Sequence, residues 1–349
     1  MVRTTIAMPS PETVITVEAP ARLHLGFVDV SGSLGRRFGS LGLTLEDIAT
    51  VLTMRRADDL QASGPAASRA LEYVRRLADD FDPPCGVAVH VHRAIPEHVG
   101  LGSGTQLAFA VGRAFGALFG VPFDARATAS RLDRGARSGI GIGAFDQGGF
   151  VVDGGRTSGG DHPPVIARLP FPASWRVLLL FDRAGRGLHG DAEREAFRTL
   201  RSFPESAAAH LAHLTLMRAM PALAEEDCDS FGAAIGEIQR TVGDYFAVAQ
   251  GGRFTSPAVA QALAFLEARG IRGVGQTSWG PTGFAIFDSE LRAHAALAEL
   301  RSACHGAATL EFQLTRGRNE GHRLGIGVAD RPDDCAVDAS LSGRRARES

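Results

Sequence analysis

Glycine crowding at one strand-to-helix junction constrains this chain more than any other feature. The string Pro96-Glu97-His98-Val99-Gly100-Leu101-Gly102-Ser103-Gly104-Thr105-Gln106 follows Gly86–His92, in which Val87, Val89 and Val91 alternate with Ala88, His90 and His92. That period of two predicts a half-buried strand. Beyond the string, Leu107, Val111, Ala114, Phe115 and Leu118 recur at helical spacing, which predicts a helix over 105–119. The glycines therefore sit where the N–H groups of a first helical turn lack partners and the helix dipole is positive. Without Cβ atoms the backbone wraps a tetrahedral anion, and Ser103 and Thr105 supply hydroxyl donors. The local chemistry is that of phosphate or pyrophosphate. No Lys follows the last glycine, so the string is neither a Walker loop nor a dinucleotide fingerprint.

The rest of the chain narrows the setting. Its 349 residues exceed one typical core, so two domains are expected. Hydrophobic residues make up 44% and charged residues 22%, the composition of a globular protein. A net charge of −2 argues against a nucleic-acid partner, which demands a basic surface. Every basic residue other than histidine is arginine, a side chain suited to oxyanions. Cys85, Cys228, Cys304 and Cys335 lie far apart with no C-x-x-C pair, as reduced thiols do. No apolar run is long enough for a signal peptide or a membrane span, so the expectation is a cytoplasmic protein with no membrane partner.

Taken in order, residues 1–12 read as a loose leader and 14–19 as a strand continued past Pro20 through Arg22, His24 and Asp29. On spacing alone Arg22 and His24 are the polar face of a sheet. Ser31–Gly42, glycine-rich and bearing Arg36 and Arg37, reads as a mobile loop. A strand is predicted over 50–56, helices over 68–80 and 124–132, and strands over 165–168 and 177–181. Residues 191–250 have a helical pattern interrupted at Pro204 and Pro221, with Glu193-Arg194-Glu195 as a solvated turn near its start. A helix over 257–269, a strand over 284–287, a helix over 290–302 and a strand near 310–315 follow. From Asp330 the polar tail is expected to be disordered.

Three separate motifs resemble those of one superfamily. The string Pro-x-x-x-Gly-Leu-Gly-Ser-Gly-Thr-Gln resembles the second motif of the GHMP kinases, and its Gly-Thr-Gln ending resembles one branch, the β-ribofuranosylaminobenzene 5′-phosphate synthases. Pro20-Ala21-Arg22-x-His24-x-Gly26, followed by Asp29, resembles the first motif, which lines the cleft. Gln276-x-Ser278-Trp279-Gly280-Pro281-x-Gly283 resembles the third in its synthase version. A tryptophan among so many glycines reads as a platform more than a core residue. Aligning Gly148-Gly149 with the kinase glycine pair puts Gly141 where many of those kinases keep a catalytic Asp. Asp146 is the nearest carboxylate, read either as its replacement or as a turn residue.

The resemblance implies an α+β, GHMP kinase-like two-domain fold with the active cleft between the domains. Residues 13–174 would form the N-terminal domain, 175–329 the C-terminal domain, and 330–349 the tail. The activity implied joins phosphoribosyl pyrophosphate to a para-substituted benzoate, 4-aminobenzoate or 4-hydroxybenzoate, releasing carbon dioxide and pyrophosphate with Mg²⁺ present. Arg22, His24 and Asp146 are then candidate catalytic residues and Asp29 the candidate Mg²⁺ ligand. Gly100, Gly102, Ser103, Gly104, Thr105, Gln106, Gln276, Ser278 and Trp279 are candidate substrate and phosphate contacts. Arg22 and Trp279 would serve the benzoate. A homodimer is implied by the family. The alternatives are an ATP-dependent small-molecule kinase and a non-catalytic ligand sensor on the same scaffold.

Overall fold

A computed structural model describes residues 10, 12–160, 162–185, 200–304 and 309–328. The turn at Glu193–Glu195 and nearly all of the predicted leader and tail lie outside the described residues. The central organising strand is β1 (Thr13–Asp29), flanked by β2 (Phe38–Ala57) and by β11 (Arg323–Val328), both antiparallel. β4 (Gly86–Arg93) pairs with the second half of β2, and β5 (Phe150–Asp153) with its first half. β3 (Gln61–Ser63) and β6 (Val165–Leu169) complete a seven-stranded sheet. A separate four-stranded sheet runs in the order β10 (Leu310–Thr315), β7 (Arg176–Asp182), β9 (Gly283–Phe287), β8 (Val274–Gln276).

β1 serves two cores, which is why the site lies along it. Ile15, Val17 and Ala19 pack with α1 (Ala67–Phe81) and α2 (Ser103–Phe119). Past a register shift between Pro20 and Arg22, Ala21, Leu23 and Leu25 join a second core. That core is filled by α5 (Glu205–Leu214) and α7 (Cys228–Gln250), with α6 (Met220–Ala224) between them. A third core lies between the small sheet and α8 (Pro257–Glu267) and α9 (Glu290–Ala303). Arg22 and His24 stand at the hand-over between the first two.

Several expectations are corrected here. Phe38–Gly42 is the start of β2 and not loop, because Ser40–Leu43 pair with β5 and Ile140 packs into the space a side chain at Gly42 would need. Residues 323–328 return to the N-terminal sheet, so the chain does not divide cleanly near Trp175. The turn before β11 is pinned by Arg318, 1% exposed, which pairs with Glu18 on β1. α3 (Ala125–Arg131) starts at Asp124, whose carboxylate caps the Ala127 N–H at 2.6 Å. α4 (Ile140–Asp146) is a helix that the glycine-rich sequence hid. Among the described residues no helix is long and apolar enough to cross a membrane.

Candidate active site

The glycine loop forms as its sequence dictates. Gly100 and Gly102 have φ of +80° and +84°, a conformation costly for residues with a Cβ. At Gly100 a Cβ would also lie 2.7 Å from the Thr277 carbonyl oxygen, so the third motif is packed directly on the loop. Gly102 is the N-cap of α2 and brings no side chain to cap it. The first-turn N–H groups of Ser103, Gly104 and Thr105 therefore have no intrahelical acceptor. Ser103 and Thr105 are themselves half-exposed.

Arg22 is tied to this loop twice. Its N–H donates to the Leu101 carbonyl at 3.1 Å, and its guanidinium donates to the Gly100 carbonyl. The side chain passes across Gly102, where a Cβ would stand 3.2 Å from Nε. Arg22 thus lies against the glycine loop along its whole side chain. His24 is 3% exposed; its N–H donates to Thr277 Oγ1 at 2.9 Å, and that hydroxyl donates to the Gly100 carbonyl at 2.9 Å. Burial, with the charge of Arg22, lowers the His24 pKa to about 3, so the ring is neutral at physiological pH. Its Nε2 is buried with no hydrogen-bond partner.

Other expected contacts are turned inward. Gln106 is fully buried, and its Nε2 donates to the Gly141 carbonyl at 2.9 Å, tying α2 to the start of α4. Gln276 accepts from the Thr255 N–H at 2.6 Å and donates to the Ser278 carbonyl at 3.2 Å. Its N–H donates to Gln239 Oε1 at 2.8 Å, while Gln239 Nε2 donates to the Leu25 carbonyl at 2.8 Å. Gln239, on α7, is thus a buried strut between the two sheets that nothing in the sequence singled out. Trp279 is 6% exposed and lies in the core, its ring 4.5 Å from that of Phe246. The hollow it lines with His24, Phe27 and Phe246 is only about 30 Å³, enough for a water and not for an aromatic ring. Ser278 stays half-exposed at its rim, with φ of +52°.

Asp146 is exposed at the far end of α4, with Asp124 and Arg126 as its charged neighbours. Gly141, at the near end, faces the loop: a Cβ there would stand 3.0 Å from Thr105 Cγ2. The seven-residue helix separates the two, and Asp146 does not take the place of a carboxylate at 141. Asp29 Oδ1 accepts from the Ser31 N–H at 2.7 Å, Ser31 Oγ at 2.6 Å and the Gly32 N–H at 3.2 Å, closing a turn. Among the described residues no group of three or more His, Cys, Asp or Glu side chains is placed to hold a metal ion. Asp29 alone does not fit a protein-built Mg²⁺ cage.

Beyond Asp29 the cleft opens into a cavity of about 440 Å³, within the usual range for small ligands. Val28, Leu34, Ile166, Leu216 and Met220 make it largely apolar, and Arg37 and Asp153 supply charge. Arg36 is committed to the Gly154 and Gly155 carbonyls at 2.7 Å each. Asp153 accepts from the Gly139 and Gly155 N–H groups at 2.9 Å and from Ser138 Oγ at 3.1 Å, which anchors α4. Its burial raises the carboxyl pKa to about 6. A π-helical turn, Thr215–Ala219, joins α5 to α6 on the cavity wall. Such turns are frequent at functional sites.

Known proteins share this fold and much of this sequence. The model for the GHMP kinase N-terminal domain matches residues 66–154 and that for the GHMP kinase C-terminal domain matches 219–306. A β-ribofuranosylphenol 5′-phosphate synthase of Archaeoglobus fulgidus is 33% identical over 296 residues, 79% of this chain and 88% of that protein. Its counterpart in Methanothermobacter thermautotrophicus is 30% identical over 298 residues, 79% of this chain and 89% of that protein. The chain belongs to the β-ribofuranosylphenol 5′-phosphate synthase family, within the GHMP kinases. It is therefore an enzyme, as a member of a synthase family. Homoserine kinase of Cytophaga hutchinsonii has the same fold, with a TM-score of 0.65 and 16% identity over 92% of this chain and all of that one. Galactokinase of Lactococcus lactis also reaches 0.65, at 14% identity over 89% of this chain and 95% of its own. The synthase family thus uses a kinase scaffold, and in this member Gly141 sits against the loop without a carboxylate.

Proposed function

We propose that this synthase condenses phosphoribosyl pyrophosphate with a para-substituted benzoate, releasing pyrophosphate and carbon dioxide. The observation that carries the reading is the anion loop crossed by Arg22, with Gly141 where a carboxylate would stand in a kinase and a neutral, weakly basic His24 beside it. A kinase acting on an alcohol gains from a base there; ionisation of a ribosyl diphosphate does not need one. Loop N–H groups, Ser103 and Arg22 hold the charge that gathers on the diphosphate as the C1–O bond breaks. The ring carbon bearing the carboxylate, made electron-rich by its para oxygen or nitrogen, forms the new bond to C1 of the oxocarbenium-like ribose. The bond to the carboxylate then breaks, its electron pair returns to the ring, and carbon dioxide leaves. No proton is gained or lost overall.

Mg²⁺ enters as part of the substrate, bound by diphosphate oxygens and water in the way such ions favour, with Asp29 the candidate protein carboxylate. The 440 Å³ cavity is the proposed place of the aromatic acid, its apolar wall taking the ring and Arg37 the carboxylate. The test is an assay with Mg²⁺, phosphoribosyl pyrophosphate and 4-hydroxybenzoate, then 4-aminobenzoate. The expected result is carbon dioxide and pyrophosphate in equal amounts. Transfer of phosphate from ATP to a small alcohol, with no carbon dioxide released from either benzoate, overturns it.

A further inference from the structure

Gly104, in the first turn of α2, looks out between two arginines that no motif contains. A Cβ there would stand 3.7 Å from Arg134 Nη1 and 3.8 Å from Arg69 Nη1. Tyr73 Oη donates to the Gly104 carbonyl at 3.3 Å, and the Arg134 guanidinium lies 5.4 Å from the Tyr73 ring centre. Arg69 pairs with Glu97 Oε1 at 2.9 Å, which aims it at the same point. Arg134 has no carboxylate partner among the described residues, and its Nε is buried without any hydrogen-bond partner. Two like charges converge, one of them paired with Glu97, at the positive end of a 17-residue helix. An anion between them, at the two Nη1 groups that face Gly104, removes the repulsion.

We propose that Arg69 and Arg134, the latter seated on the Tyr73 ring, form a second anion subsite, which takes the 5′-phosphate of the ribosyl substrate. The proposal rests on the reading above, in which the ribose carries an anion at each end. The assignment of the ends follows from the chain. C1 and its diphosphate must face the acceptor. Arg22 lies on β1, the strand that leads to Asp29 and the cavity, so the diphosphate belongs with Arg22 and Gly100–Ser103. Arg69 comes from α1 and Arg134 from the segment between α3 and α4, and neither lines that cavity. They hold the far end of the sugar. Burial raises the Tyr73 pKa, so its hydroxyl keeps the proton it donates.

Titration calorimetry with two probes tests this: ribose 5-phosphate for the subsite and inorganic pyrophosphate for the loop. Arg134→Gln and Arg69→Gln should each weaken ribose 5-phosphate roughly tenfold to a hundredfold and pyrophosphate less than about threefold. Ser103→Ala should do the reverse. Arginine variants that weaken both probes alike, or neither, overturn the subsite. If Arg134→Gln does not fold by its melting temperature, Arg134→Lys replaces it, keeping the charge but losing the planar fork. The two proposals fail separately. An intact split between the probes without carbon dioxide release overturns the synthase reading and leaves the subsite; carbon dioxide release without the split does the opposite.

Discussion

The loop at Gly100–Gly104 and the loop at Gly275–Gly283 are both glycine-rich and touch at Thr277, but their polar groups go to different places. In the first, the N–H groups of Ser103–Thr105 have no intrahelical acceptor, and Ser103 and Thr105 are half-exposed residues. In the second, Gln276 is spent on Thr255, Ser278 and Gln239, Thr277 on His24 and Gly100, and Trp279 on Phe246. Glycine in the first lets the backbone take a positive φ and lets Thr277 and Arg22 pack against it, while the N–H groups of the helix start keep no intrahelical partner. In the second it lets the backbone sit against Gln239, whose side chain would meet a Cβ at Gly275 within 2.4 Å. Composition alone does not separate a binding loop from a strut; the destination of its hydrogen bonds does.

The largest effect that tests this contrast is at Trp279. As a core side chain it should cost about 3–5 kcal/mol of stability when cut to alanine. Thermal or denaturant unfolding reads that loss, and apparent KM values for both substrates should shift together. A stable Trp279→Ala with a raised KM for the benzoate alone would mean the ring is a binding wall after all. The next effect lies in the other loop. Ser103→Ala should slow the condensation by roughly one to three orders of magnitude, as removal of an oxyanion donor does, with the melting point nearly unchanged. Full activity in that variant would make the first loop a connector and erase the contrast.

What the sequence revealed follows the reach of each signal. The strand, loop and helix around Gly100 are legible because the period of two, the glycines and the period of 3.6 are all local. The direction of Trp279 is not, since Phe246, which packs on it, comes from α7. Arg69 and Arg134 lie in ordinary helical and turn sequence and gain meaning only when α1 and the α3–α4 segment meet at Gly104. β11 escaped notice because Gly325 and Gly327 interrupt its pattern and its partner is β1, at the other end of the chain. Gly42 reads as loop, though it is glycine only because Ile140 fills the space beside it.

The smallest effect is read at the joint between the loops. His24 titrates near 6.5 in an unfolded chain and at about 3 in the fold, because burial and the charge of Arg22 oppose its protonation. Between those values the unfolded chain holds a proton that the folded chain lacks, so stability rises with pH there. His24 therefore withdraws stability as pH falls from 6.5 toward 3. Asp153 acts with the opposite sign: burial raises its pKa from 3.8 to about 6, the folded state takes the proton first, and stability grows as pH falls through that window. The two oppose each other, and Asp146, His92 and His322 shift in the same window, so the wild-type profile alone isolates neither. Subtracting the profile of His24→Gln isolates the histidine, since the contributions of Asp153, His92 and His322 cancel. The wild type should lose stability relative to the variant with a slope approaching about 1.4 kcal/mol per pH unit below roughly pH 5.5. A flat difference would mean that the ring is solvated or charged in the folded protein. The neutral histidine at the meeting of the two loops would then be wrong, and His24 would stand beside the anion loop as a group able to act as general acid or base.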